Sequence, residues 1–226
     1  VLTSKSKITL GGRSTYFARD NRRDAMYLAT IFSSSLQEDT LRTQSVDQSQ
    51  WVHALYATYG YVFSPKWKAQ AGMRYEVANL EFTLKSNNVL NFTYPGYFPS
   101  AFLTYSPKKG LEFQASYAMR VNRPGEEQLN PIIDYSNPQS FRKGNPLLMP
   151  EYTHAFELTA GKYAKWGSAT LNGYVQHTTN MFSRFVEVDT TGIVTVTYSN
   201  FDTRDRYGLS GNTSVRFGNT PSIQAS

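Results

Sequence analysis

The sequence contains no cysteine, which excludes disulfide bonds, thiolate metal sites and cysteine nucleophiles. It also lacks a long apolar run: the longest, Ala25–Phe32, has about eight residues, whereas a membrane-spanning helix needs roughly 20. The first residues, Val1–Lys5, carry neither the basic nor the apolar region of a signal peptide. If the protein is exported, we therefore expect this chain to be a mature or internal piece of it.

The composition is poor in apolar residues but rich in aromatic ones. Hydrophobic residues make up 40% of the 226 residues, whereas aromatic residues reach 15%, with 16 Tyr and 14 Phe. Such a mixture is unusual for a soluble core and suits a β-barrel that is apolar on one face and wet on the other. A secreted β-sandwich also alternates polar and apolar residues, so composition alone leaves both open.

The net charge of +6 does not indicate nucleic-acid binding. Lysine and arginine are spread singly along the chain, whereas a nucleic-acid interface clusters them on one element. A barrel lumen or rim that faces anionic lipid head groups or acidic ligands is a functional interpretation of this charge, and a solvated surface is an equally good one.

Period-two alternation is the main structural signal, and Lys68–Leu84 is its cleanest example. Ala69, Ala71, Met73, Tyr75 and Val77 alternate there with Lys68, Gln70, Gly72, Arg74 and Glu76. Such a polar face can belong to a strand only if that face is wet. The sequence predicts strands at Lys5–Arg19, Trp51–Phe63, Lys68–Leu84, Phe92–Tyr105, Leu111–Val121, Tyr152–Tyr163, Ser168–Val188, Ile193–Tyr198 and Arg206–Phe217. Between them, Asp20–Asp24 is predicted as a turn, Ala25–Ser33 as half of a hairpin, the stretch up to Gln50 as irregular and Asn87–Asn91 as a loop.

Loop lengths alternate along these predicted strands. Ser64–Trp67, Ser106–Gly110 and Ala164–Gly167 are short turns that carry lysine, and the connections between them in order are long. Short turns at one end and long loops at the other are typical of outer-membrane barrels. The sequence therefore predicts an all-β fold, an antiparallel transmembrane β-barrel segment of about eight strands. Because an outward arginine at mid-membrane costs about 2–4 kcal/mol, Arg74, Arg120 and Arg216 should point inward or lie at a rim.

One long connection, Arg120–Glu151, is called the crossover below. It contains five prolines and two glycines, which exclude a helix and break any strand, yet it is rich in Leu, Ile, Phe and Tyr. A long ordered loop of this kind usually has a function. It begins after Tyr117-Ala-Met-Arg-Val-Asn-Arg-Pro124 and contains Leu129-Asn-Pro131, Gly144-Asn-Pro146 and Pro150-Glu151 in order. Leu55-Tyr-Ala-Thr-Tyr59 and Gly72-Met-Arg-Tyr-Glu76 precede it.

These motifs together resemble the barrel of TonB-dependent outer-membrane receptors, in the form common in the Bacteroidetes. The resemblance implies a location in the bacterial outer membrane and active uptake of a large nutrient, such as an iron chelate, cobalamin, an oligosaccharide or a peptide. It implies as partners the membrane lipid, a plug domain, an energy-transducing TonB-type complex and, in some receptors, a surface lipoprotein. Residues 1–226 contain a single barrel portion and nothing that resembles a plug, so we expect part of a larger barrel.

The sequence predicts no enzyme and no catalytic, cofactor-binding or metal-binding residue. The histidines His53, His154 and His177 lack any ligand spacing, and the pair Glu126–Glu127 is interpreted as solvated. For contact with ligand or plug we select Arg120 and Arg123 at the strand exit, with Tyr135 and Arg142 in the crossover. The Asn-Pro motifs of the crossover have a second interpretation, in which they only fix the shape of the loop.

Other functions remain open at this stage. One is a small eight-stranded outer-membrane barrel with a structural or adhesive role, and another is a soluble secreted β-domain. An eight-stranded barrel can close with its interior filled by side chains, whereas large transporters have 22 strands around a plug.

Overall fold

The structure is a computed structural model that describes residues 5–24, 26–28, 36–38, 44–84, 88–135, 137, 140–165, 167–190, 192–201, 203–215 and 223–225. The strands are β1 (Ser6–Arg23), β2 (Met26–Leu28), β3 (Leu36–Glu38), β4 (Gln44–Ser64), β5 (Trp67–Leu84), β6 (Val89–Lys108), β7 (Leu111–Asn122), β8 (Ser140–Arg142), β9 (Glu151–Ala164), β10 (Gly167–Thr179), β11 (Phe182–Val188), β12 (Val194–Asn200), β13 (Thr203–Val215) and β14 (Ile223–Ala225). A single turn of helix, α1 (Glu126–Leu129), lies in the crossover. Among these residues, no helix is long and apolar enough to cross a membrane.

One antiparallel sheet contains all the long strands. Its nine strands follow the order β1-β4-β5-β6-β7-β9-β10-β13-β14, of which β14 has only three residues, so the predicted all-β class and number of long strands are confirmed. The tight connections β4–β5, β6–β7 and β9–β10 lie at one end of the sheet. The crossover and the connections that carry β2–β3 and β11–β12 lie at the other. In the described chain, β1 and β14 do not pair with each other, so this sheet is open.

Several predicted boundaries are wrong, mostly because the strands continue further than their alternation suggested. The predicted turn Asp20–Asp24 belongs largely to β1, and β4 already begins at Gln44, within the stretch predicted to be irregular. The loop predicted up to Asn91 ends where β6 starts, at Val89. The stretch Ser168–Val188, predicted as a single strand, is interrupted after Thr179, where Asn180 adopts a φ of 53°. The residues that follow form β11, which belongs to a separate sheet. Of the half-hairpin Ala25–Ser33, only residues 26–28 are described; Arg216 and Phe217 also lie outside the described residues.

The register places each predicted set of alternating residues on one face of the sheet. Ala57, Met73, Pro99 and their neighbours in register form the outer face, where large apolar side chains are exposed. Exposed members of this face are Ile8, Leu10, Leu55, Tyr59, Met73, Leu103, Phe113, Phe156, Leu158, Leu171, Val175, Tyr207 and Leu209. On the opposite, inner face lie Lys68, Gln70, Arg74, Glu76 and Arg120, and the crossover covers only the upper part of this face, from about Glu76 onward. An apolar outer face and a polar inner face are what a barrel wall in a bilayer requires.

The apolar side of the wall changes faces partway along the strands. In β5, apolar residues point outward from Trp67 to Val77, about 11 residues, which is the length that a tilted strand needs to cross a bilayer. From Ala78 the apolar residues point inward instead. Val46, Ala78, Leu80, Phe82 and Leu84 are buried with Leu129 and Leu148 of the crossover in one core cluster. On the outer face beyond Val77, Asn79 accepts a hydrogen bond from Thr93 (3.0 Å). The strands therefore leave the membrane near residue 77.

The crossover is closed on itself by its two Asn-Pro motifs. The backbone N–H of Gly144 donates to the carbonyl of Asn130 (2.7 Å), and that of Asn145 donates to the carbonyl of Gln128 (2.6 Å). A Cβ on Gly144 would lie 2.6 Å from the backbone of Asn130, so only glycine fits. The side chain of each asparagine accepts a hydrogen bond from the N–H two residues later, Asn130 from Ile132 and Asn145 from Leu147. These contacts support the interpretation that the motifs fix the shape of the loop.

An ion pair attaches the crossover to the inner face. The guanidinium of Arg123 lies 2.7 Å from the carboxylate of Glu76 in β5, and both side chains are largely buried. Glu76 also contacts Arg74 at 3.3 Å, and Arg74 lies over the ring of Phe98. At the other end of the crossover, Glu151 accepts hydrogen bonds from Asn122 (2.9 Å) and from the N–H of Phe182 (2.9 Å). Charged groups thus hold the loop at both ends.

The change of faces in β5 predicts which residues lie in lipid. Because this chain has no cysteine, single cysteines can be introduced into it. In the full-length protein, embedded in vesicles, Met73→Cys should not react with a membrane-impermeant maleimide, whereas Glu81→Cys on the same face should react fully. Equal labelling of the two positions would contradict the boundary near residue 77.

Removal of one member of the buried pair should release the crossover. Glu76→Ala leaves the Arg123 guanidinium buried without its carboxylate, so we expect a loss of about 3–5 kcal/mol of stability. The measurement is the temperature at which the crossover of the full-length protein in detergent becomes sensitive to protease. As a control, Glu76→Leu combined with Arg123→Met removes both charges and should recover most of that loss. A double variant as unstable as Glu76→Ala would show that the loss does not come from the unpaired charge.

Candidate functional site

A polar cavity of about 550 Å³ lies on the inner face at the end of the sheet with the long connections. Its first wall is the crossover, through α1 and residues 142–144. Its second wall is the upper part of β1 and β4, and its third is β11–β12. Side chains from all three contribute to the lining, which includes Arg19, Asn21, Gln48, Glu126, Glu127, Gln128, Asp134, Arg142, Lys143, Arg184 and Tyr198.

The cavity exists because short β segments fold back beside the crossover. β8, inside the crossover, pairs in parallel with β12, so that Arg142 lies opposite Val196. The N–H of Lys143 donates to the carbonyl of Val196 (3.0 Å), and the side-chain amide of Asn145 donates to the carbonyl of Tyr198 (3.0 Å). These backbone contacts fix two of the three walls relative to each other.

The carboxylates of the cavity are engaged with neighbouring groups. Glu126 accepts a hydrogen bond from Asn21 of β1 (2.7 Å), which connects the crossover to the second wall. Glu127 accepts one from the hydroxyl of Tyr198 (3.0 Å) and lies 3.9 Å from the guanidinium of Arg184. The hydrogen bond with Tyr198, together with attraction to Glu127, raises the pKa of Arg184 above its ordinary value. The cavity therefore presents cations and amides, with its carboxylates Glu126 and Glu127 already in contact with neighbouring groups.

The residues selected from the sequence occupy different places. Arg142 lines the cavity, and its backbone pairs with Asp134 (2.7 and 3.3 Å). Arg120 is exposed on the inner face, 3.9 Å from Glu157, outside the cavity lining. Arg123 is engaged with Glu76. Tyr135 is partly exposed, and its ring packs against that of Phe141 with 4.9 Å between the ring centroids. The structure thus brings one of the four into the cavity.

Sequence reasoning missed the cavity residues outside the crossover. Arg19 and Asn21 share the period-two position of Lys7, Thr9 and Arg13. The predicted strand Lys5–Arg19 already contained Arg19, and its extension to Arg23 would have placed Asn21 on the same face. The pair Glu126–Glu127, interpreted as solvated, also contacts the second and third walls, although the side chain of Glu127 is 70% exposed. No sequence signal indicates this, because Asn21 and Glu126 lie 105 residues apart.

The histidines lie on the outer face rather than in the cavity. His154 is hydrogen-bonded to the hydroxyl of Tyr117 (2.9 Å), His177 lies 2.7 Å from Asp205, and His53 lies 3.0 Å from Ser14. Within the part of the chain that is described, no group of three or more His, Asp or Glu residues could hold a metal ion.

The sequence and the fold were compared with known proteins. No curated protein matches the sequence significantly. Solved structures do match: the hemophore receptor HasR of Serratia marcescens, in complex with its hemophore HasA and heme, has a TM-score of 0.67 at 12% identity, over 94% of this chain and 40% of that protein. The copper transporter OprC has a TM-score of 0.66 at 13% identity, over 96% of this chain and 34% of that protein.

The FrpB iron transporter of Neisseria meningitidis matches with a TM-score of 0.61 at 10% identity, over 96% of this chain and 32% of that protein. At these identities the likeness shows the fold, which is that of part of the barrel of TonB-dependent receptors. The chain spans about a third to two fifths of the length of these proteins. The profile of a family described as the outer membrane protein beta-barrel family matches residues 1–226. The chain therefore belongs to the outer membrane protein beta-barrel family.

Proposed function

We propose that this chain is part of the barrel of a TonB-dependent receptor, of the Bacteroidetes form, that takes up a large nutrient across the outer membrane. The rest of the barrel and a plug domain then lie outside residues 1–226. An energy-transducing TonB-type complex acts through the plug, and a surface lipoprotein is a further partner in receptors of this form. The barrel itself carries out no covalent chemistry.

The observation that carries this proposal is the polar cavity at the long-connection end of an open sheet. In outer-membrane barrels long connections face the outside and short turns face the periplasm. A cavity of about 550 Å³ at that end, lined by charged and amide side chains, is suited to capture a polar solute from outside. Membership of an outer-membrane family excludes the soluble secreted β-domain.

The open order of the sheet supports a large receptor over a small closed barrel. A closed eight-stranded barrel joins its first and last long strands, whereas β13 here pairs with β10 and β14, and β1 pairs with β4. Unpaired edges in hydrocarbon are costly, so further strands must complete the wall. The mass of the native polypeptide separates the two: well above 25.6 kDa for a receptor, close to it for a structural or adhesive barrel.

The four selected residues take different roles in this proposal. Arg142, in the cavity, contacts the ligand directly. Arg120, exposed on the inner face nearer the membrane, contacts the plug or a ligand that passes it. Arg123 acts through the position of the crossover, since its charge is already engaged. Tyr135 offers a partly exposed ring at the outer end.

The class of nutrient is tested by uptake. A deletion strain that carries the full-length gene should accumulate one of four labelled probes: a ferric chelate, cobalamin, an oligosaccharide or a peptide. Accumulation should stop when a protonophore removes the energy source. Accumulation of none of them, or uptake that persists without energy, would contradict the proposal.

Loss of a cavity cation should weaken binding of the probe that is taken up. Removal of a charged hydrogen-bond donor costs about 1.5–3 kcal/mol, so Arg142→Ala should lower the affinity roughly 10- to 100-fold. Lys109→Ala, at a short turn on the opposite end, is the matched control and should bind normally. The measurement is the Kd of the purified full-length protein, with its amount at the cell surface checked by antibody. If the Arg142→Ala variant bound the probe with unchanged affinity, this cavity would not be the ligand-binding site.

A further inference from the structure

A second depression, about 500 Å³ in volume, lies on the outer face and is lined mainly by apolar side chains. Its floor includes small residues from adjacent strands, namely Ala115 of β7 and Ala160 of β9, whereas Gly173 of β10 lies beneath the side chain of Leu209. Leu103, Leu158 and Leu209 stand around it. Because small and large residues face the lipid side by side, the wall has a groove there rather than an even surface.

An aromatic row borders this groove toward the short-turn end. The ring of Trp67 stacks on that of Tyr105 (4.3 Å between centroids), and Phe113 follows (6.4 Å from Tyr105) on the next strand. In register with this row, β9 has Ala160, so the row of large rings stops at the groove. Tryptophan and tyrosine at one level of a barrel mark the membrane–water interface. The groove thus opens at head-group level on the periplasmic side.

A lysine lies at this opening on the lipid face. Lys162 is two residues beyond Ala160 on the same face of β9, opposite Leu111 of β7 and Ala169 of β10. It is exposed, and no carboxylate in the described part of the chain forms an ion pair with it. With apolar neighbours on both sides, its ammonium group reaches the interface along its own methylene stem.

We propose that this groove binds an anionic glycerophospholipid of the periplasmic leaflet. An acyl chain fills the groove over Ala115 and Ala160, beside Leu209, and the lipid phosphate contacts Lys162. The charge selects an anionic over a zwitterionic head group, and the small floor residues give the chain a fixed place. Such a lipid joins the segment β6–β10 to the bilayer independently of the ligand cavity on the other face.

The test is native mass spectrometry of the full-length protein in detergent, with phosphatidylglycerol or phosphatidylethanolamine added in equal amounts. The protein should retain phosphatidylglycerol several-fold better. One lysine near a lipid surface contributes about 1 kcal/mol, so Lys162→Gln should lower this preference roughly fivefold. Lys68→Gln, a lysine on the inner face, is the matched control and should keep it. Equal retention of both lipids, or a preference that Lys162→Gln does not change, would overturn the proposal.

A second variant tests the groove itself. Ala160→Leu fills the floor and should abolish retention of either lipid, whereas Ala71→Leu, also on the outer face but outside the groove, should not. Retention unaffected by Ala160→Leu would mean that lipid binds elsewhere. If a second copy or a lipoprotein is bound in place of lipid, and Ala160→Leu releases it, the groove is a protein interface and the proposal is wrong.

Discussion

The structure depends on one constraint, that apolar side chains must face lipid inside the membrane and must be hidden from water outside it. A strand that passes from one medium to the other can satisfy both only by exchanging its apolar face. β5 does so between Val77 and Ala78, where two apolar residues follow each other and the alternation changes phase. Below this point the inner face of β5 is polar, and above it the same face of β5 is apolar and buried under the crossover.

The dry upper part of the inner face gives the crossover a place to pack. Leu129 and Leu148 of the crossover complete the cluster formed by Val46, Leu80 and Phe82, and this burial is non-directional. The ion pair of Glu76 and Arg123 adds direction, since Glu76 is the last polar inner residue before the change of faces. Buried ion pairs contribute little net stability, and their best-attested use is to fix one arrangement among several. Here the pair fixes the position of the crossover on the inner face, and the crossover is the first wall of the cavity.

This division explains what the sequence could and could not predict. Period-two alternation identified the faces of most long strands, although not of Phe92–Tyr105, because each residue reports its own environment. The same signal contains the change of phase at Val77–Ala78, but the predicted alternation within Lys68–Leu84 extends only to Val77. The ends of the strands were missed at Gln44 and Val89, since outside the membrane neither face needs to be uniformly apolar. The cavity was beyond reach because pairs such as Asn21 and Glu126 are joined only by the fold.

The walls of the cavity differ in how firmly they are held. β12 pairs with β8 and β11 and receives hydrogen bonds from the crossover, so Arg142 lies on a wall fixed by backbone contacts. β11 is an edge strand with most of its side chains exposed, and Arg184 reaches Glu127 only at 3.9 Å. Exposed pairs of this kind contribute about 1 kcal/mol or less, so a ligand can replace them at small cost. The cavity thus combines a side held by backbone hydrogen bonds with a contact between Arg184 and Glu127 that is held only by exposed side chains.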